Sequence, residues 1–115
     1  MTSESRNRSA SPALWPALST NRSAIEELGL AHHVRRLAVF GSATSSRFDP
    51  NRSDIDLLVE FDPDRRSKRF EDYFGLKEGL EAVLARPVEL VTPEALANPF
   101  FAASVTATEA ELYVA

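Results

Sequence analysis

The chain has 115 residues, 43% hydrophobic and 26% charged, with a formal net charge of −4 and no cysteine. That is enough for one domain with a core of its own and too little for two. It excludes disulfides and thiolate zinc sites, and an acidic balance argues against direct nucleic-acid binding, which needs a basic face.

No apolar run approaches the roughly 20 residues of a membrane span. The arginines near the N-terminus have no continuous apolar stretch behind them, so neither a secretory signal nor a membrane partner is expected. The expectation is a cytoplasmic protein, and the composition leaves room for a homo-oligomer. Residues 1–18 are rich in Ser, Arg, Asn and Pro and read as a flexible N-terminal tail with one docking point at Leu14 and Trp15. Residues 19–115 read as a single domain.

Ser23-Ala24-Ile25-Glu26 fits a capping box, with Thr20 as a competing cap, and opens a short helix that carries Ile25 and Leu28 and stops at Gly29. Leu37–Phe40 reads as the first strand, ended by Gly41-Ser42. A polar loop over 43–53 turns at Asp49-Pro50-Asn51. The second strand covers 54–61 and is closed by Asp62-Pro63-Asp64. A basic run, Arg65 to Arg69, leads into a helix whose apolar residues Phe70, Tyr73, Phe74, Leu76, Leu80, Val83 and Leu84 recur at helical spacing. Val88–Val91 is a third strand. Pro93 opens a brief helix through Leu96, and a last helix runs over about 99–113. The class is α+β: a small mixed sheet with helices packed on one face.

The second strand carries the chemistry. Alternation puts Ile55, Leu57, Val59 and Phe61 on a wholly apolar face and Asp54, Asp56, Leu58 and Glu60 on the other. Asp54 and Asp56 point the same way, roughly 6.6 Å apart along the strand. Two like charges so placed are costly unless a cation neutralises them, and short carboxylates suit magnesium. Glu89 sits between Val88 and Leu90 and points to the same side of the sheet, which makes it a third candidate acid. Gly41-Ser42 at a strand end can present backbone N–H groups and a hydroxyl to a phosphate, with Thr44, Ser45, Ser46 and Arg47 as further donors. His32 and His33 read as surface histidines. The basic run is a solvated helix entry or a contact for a triphosphate or an acidic partner.

Phe40-Gly41-Ser42, then Ser53 through Phe61, then Arg86-Pro87-Val88-Glu89-Leu90-Val91-Thr92 resemble the minimal nucleotidyltransferase (MNT) domain of the DNA polymerase beta superfamily. The likeness spans about residues 22–113. It implies bound Mg2+ and a nucleoside triphosphate, usually ATP. Asp54 and Asp56 would hold the metal, Glu89 would ligate it or act as general base, and Gly41 and Ser42 would bind the triphosphate. It also implies a partner, a HEPN-type helical toxin, to which small members of this family serve as antitoxin, some by adenylylating a tyrosine. Two features depart from the pattern: no Arg-Gly follows Gly41-Ser42, and the third acid is Glu rather than Asp.

Two functions follow. The first is a Mg-dependent transfer of AMP from ATP to a hydroxyl on a partner protein, with pyrophosphate leaving. The second is a binding module that neutralises its partner by contact alone, with Trp15, Phe100 and Phe101 as candidate anchors.

Overall fold

The computed structural model describes residues 14–45 and 48–115. Ser46 and Arg47, two of the candidate phosphate donors, and residues 1–13 of the expected tail lie outside them.

A four-stranded sheet in the order β3-β2-β1-β4 organises the chain. Helices α1 (Pro16–Thr20) and α2 (Arg22–Ala31) precede β1 (Val34–Phe40). A 3-10 turn, Gly41–Thr44, and a loop lead to β2 (Ile55–Phe61). A second 3-10 segment, Pro63–Lys68, runs into α3 (Arg69–Leu84), followed by β3 (Val88–Val91). A third 3-10 turn, Pro93–Ala97, precedes α4 (Pro99–Thr108) and β4 (Ala110–Val114). β1 pairs antiparallel with both β2 and β4, and β2 pairs parallel with β3.

The alternation along β2 sets the two faces. Ile55, Leu57 and Val59 are fully buried against Leu18 of α1, Ile25 of α2 and Leu76 and Leu80 of α3. On the second face a smaller cluster joins Phe40 and Leu58 to Val105 of α4, with Val91, Leu96 and Phe101 packed beside it. The mixed sheet with helices on its apolar face is therefore as expected, and α4 adds a partial cover to the opposite face.

Several local expectations are corrected. The last helix ends at Thr108, and the residues after it form β4 instead of completing that helix. Arg36 on β1 holds this strand in place, donating to Glu109 at 2.9 Å and Glu111 at 3.2 Å while also reaching Glu60 of β2 at 3.5 Å. The capping box at Ser23 is not used; Asn21 precedes α2 and makes no side-chain cap bond. Gly29 does not stop α2 either. A Cβ there would lie 2.9 Å from the Tyr113 ring, so the glycine lets β4 pack closely on the helix. Phe70 and Phe74 fit the helical spacing yet stand outside the core, 74% and 44% exposed.

The folded unit also starts earlier than residue 19. Leu14 and Leu18 are core residues, the Trp15 N–H donates to the Ala43 carbonyl at 2.9 Å, and the Trp15 ring meets Phe48 at 4.7 Å. Deleting a fully buried leucine removes its transfer free energy and leaves a cavity. Leu18→Ala is expected to cost about 2–5 kcal/mol, read as a lower urea midpoint with an unchanged slope; a loss under about 0.5 kcal/mol would place this segment outside the cooperative core.

Candidate active site

The site lies on the second face, where β1, β2 and β3 present neighbouring positions. Phe40 pairs with Asp56 across the antiparallel β1–β2 ladder, and Asp56 pairs with Glu89 across the parallel β2–β3 ladder. Side chains at paired positions of adjacent strands share a face. Asp56 is half-buried, whereas Asp54, just before β2, and Glu89 are exposed.

The turn after β1 is shaped by Asp56. Gly41 has φ +78°, and a Cβ at this position would lie 2.8 Å from Asp56 Oδ2. Only a residue without a side chain both adopts this dihedral without strain and makes room for the carboxylate. The Gly41 N–H, expected to face a phosphate, instead donates to Thr108 Oγ1 at 2.9 Å, and that hydroxyl donates onward to the Ser104 carbonyl at 3.1 Å. Thr44 Oγ1 donates back to the Gly41 carbonyl at 2.7 Å and fixes the turn from inside. The short 3-10 turn supplies no acceptor within itself for the Ser42 N–H.

The loop ahead of Asp54 is built from its own polar groups. The Asn51 N–H donates to Asp49 Oδ1 at 2.9 Å, and the Asp49 N–H donates to Ser53 Oγ at 3.0 Å. Arg86 then grips the Ser53 carbonyl with Nε at 3.1 Å and Nη2 at 2.7 Å. A fork of this kind fixes direction as well as distance. The residue before the acidic pair is thus tied to the loop that launches β3 and Glu89. Arg86, quoted only as part of a motif, and Thr108 are positioning residues whose contacts the sequence does not reveal, because each acts on a segment remote from it in the chain. His33 belongs elsewhere: its Nδ1 lies 3.5 Å from buried Asp72 of α3, which also pairs with Arg65 at 3.2 Å.

Electrostatics records the crowding. Burial raises the Asp56 carboxyl above the ordinary aspartate range, and the charges of Glu89 and then Asp54 raise it further. Asp56 therefore feels both other acids, but among the described residues no three His, Cys, Asp or Glu side chains are gathered around one ion position. This arrangement fits a magnesium ion that takes one or two carboxylates and completes its shell with water and substrate phosphates, and it does not fit a cage made by the protein alone.

Residues 19–109 match the family described as Nucleotidyltransferase domain. Two Methanocaldococcus jannaschii proteins named "Putative protein adenylyltransferase", MJ1379 and MJ0128, are 35% and 34% identical over 74 residues, covering 64% of this chain and 72% and 71% of theirs. A solved "putative minimal nucleotidyltransferase" is 28% identical, with a TM-score of 0.67 over 91% of this chain and 100% of its own. A toxin–antitoxin crystal structure with AMP-PNP shares the fold at 23% identity, with a TM-score of 0.58 over 83% of this chain and 74% of that one.

A carboxyl whose pKa is raised by folding makes the folded state the stronger proton binder. Stability then falls as pH rises from the ordinary aspartate pKa of about 3.9 through the raised value. At neutral pH the ionised Asp56 opposes folding of the metal-free protein. Asp56→Asn is expected to melt at or above the wild-type temperature at pH 7, with the advantage vanishing below about pH 3.9, as scanning calorimetry in EDTA would show. Gly41→Ala, by contrast, is expected to lower stability by at least about 1–2 kcal/mol from the positive φ alone, and an unchanged denaturation midpoint would contradict the close approach to Asp56. The matched segment, the register that sets Asp56 beside Glu89 and the glycine turn against them together place the chain in the nucleotidyltransferase domain family, as a minimal nucleotidyltransferase of the polymerase beta superfamily.

Proposed function

We propose that this nucleotidyltransferase moves AMP from ATP to a hydroxyl on a partner protein, and that the partner is a HEPN-type toxin for which the chain is the antitoxin. The observation that carries the reading is the convergence of Asp54, Asp56 and Glu89 on one side of the sheet beside the Gly41-Ser42 turn. The likeness to protein adenylyltransferases supports the reaction class, and the toxin–antitoxin neighbour solved with AMP-PNP supports the nucleotide and the type of partner.

Asp54 and Asp56 would hold Mg2+ together with the triphosphate, and the ion would offset charge on the transferring phosphoryl group. Ser42 would donate to the triphosphate from the start of the turn, with Gly41 permitting close approach. Glu89 would orient the acceptor hydroxyl and accept its proton as the oxygen attacks the α-phosphorus and pyrophosphate leaves. Most of the acceleration would come from positioning and electrostatics.

The second reading is neutralisation by contact alone, and the exposure of the candidate anchor Phe100, at 86%, is the observation that favours it. The two are separated by mixing the protein, Mg2+, ATP labelled on the α-phosphate and the product of the adjacent gene. Covalent label on the partner is expected, falling about 100-fold or more in Asp54→Asn and Asp56→Asn while binding to the partner persists. Absence of label in the wild type, with full neutralisation by the double variant, would replace catalysis with contact.

A further inference from the structure

The basic run that precedes α3 does not act as one patch. Arg65 turns to Asp72 at 3.2 Å, whereas Arg66 and Arg69 turn toward a hollow of about 430 Å³ whose lining also includes Arg35, Glu60, Phe61 and Glu94. The hollow lies at the far end of β2, some six residues or roughly 20 Å of strand from Asp54. The apolar cluster of Leu58, Val91 and Leu96 stands between the two.

Its charge is unbalanced. Among the described residues, Arg35, Arg66 and Arg69 make no ion pair within 4.0 Å. Glu60 is already drawn to Arg36 at 3.5 Å. Glu94 is the other acid in the lining, and its carboxyl is held below the ordinary range first by the Thr92 hydroxyl, then by its own backbone N–H, with Arg69 and Arg66 adding to the effect. Arg69 is positioned by packing, its guanidinium 5.1 Å over the Phe61 ring, and its Nε is buried with no hydrogen-bond partner. Arg35 is carried by backbone that accepts a hydrogen bond from the Ala115 N–H at 3.0 Å, and the turn bearing Arg66 is capped by Asp62, which accepts from the Asp64 N–H at 2.9 Å. Three guanidinium groups on anchored backbone thus surround a concavity of a size that suits a small ligand. Guanidinium forks match phosphate oxygens two at a time, and a dianion offsets more of this charge than a single carboxylate would.

We propose that the hollow between Arg35, Arg66 and Arg69 is a second ligand site, distinct from the carboxylate site, that binds a phosphate group of a small molecule. The group can arrive as free phosphate or pyrophosphate or as part of a nucleotide; the chemistry recognised is the same.

Calorimetric titration of the full chain in EDTA tests this, with inorganic phosphate, pyrophosphate, ATP and adenosine as probes and sodium chloride at matched ionic strength as control. Saturable binding of phosphate or pyrophosphate is expected. It should weaken about tenfold or more in Arg66→Gln/Arg69→Gln and in Arg66→Glu, a change at an exposed residue that spares the packing of Arg69 on Phe61. Asp54→Asn/Asp56→Asn should bind as well as the wild type, which separates this site from the catalytic proposal: transfer of AMP could fail while anion binding stands. Tighter binding of ATP than pyrophosphate, with adenosine inert, identifies a nucleotide-borne phosphate, and the reverse order identifies the free anion. No saturable binding, an equal effect from chloride, or affinity untouched by the arginine substitutions overturns the proposal.

Discussion

The Asp56 carboxylate occupies the space where position 41 would carry a side chain, and the rest of the site is arranged around that contact. A carboxylate beside two others on a half-buried surface is an unfavourable object. It is held there because its own strand has no freedom to move: Ile55, Leu57 and Val59 are fully buried on the opposite face. Each such side chain contributes roughly 1.5–3 kcal/mol of burial, and sliding the strand by one residue would exchange apolar and acidic faces. The core therefore offsets a local electrostatic cost, a pattern common at functional sites.

The parts that steady this contact come from distant stretches of chain. Thr108, at the end of α4, satisfies the Gly41 N–H; Arg86, ahead of β3, clamps Ser53; and Trp15 ties the first helix to the carbonyl of Ala43. None of the three carries chemistry of its own. Each removes freedom from a loop that would otherwise sample many conformations, and ordering a residue costs on the order of 1–2 kcal/mol. Pre-payment of that cost during folding is what allows a site to be ready before its ligands arrive.

How much of this was legible in the chain follows from how local each signal is. β2, β3 and α3 could be read from alternation or helical periodicity, because burial writes those patterns directly into consecutive residues. β4 could not. Glu109, Glu111 and Tyr113 look like the tail of a helix until Arg36 and Gly29, more than seventy residues away, supply the partners that make a strand of them. Leu14 and Leu18 were masked by polar neighbours, since two core leucines in a Ser- and Arg-rich setting make no period. The acids of the site were legible because strand alternation fixes their facing; the residues that hold them were not, because an arginine or threonine acting across the fold has no spacing that betrays it.

The two borders of the sheet are not equivalent. Along β3, Glu81 accepts the Val88 N–H, Lys77 donates to the Val88 carbonyl and Tyr73 donates to the Leu90 carbonyl, all from α3. Side chains have taken the hydrogen bonds that another strand would seek, and an exposed strand border is the usual starting point for unwanted pairing between chains. Along β4, among the described residues, an Arg22 donor reaches the Glu111 carbonyl at 3.5 Å. Enlargement of this sheet by strand addition is therefore disfavoured on the border beside the candidate acids, where α3 already holds the outward backbone groups of β3 and so keeps the carboxylate side of the sheet closed to a fifth strand.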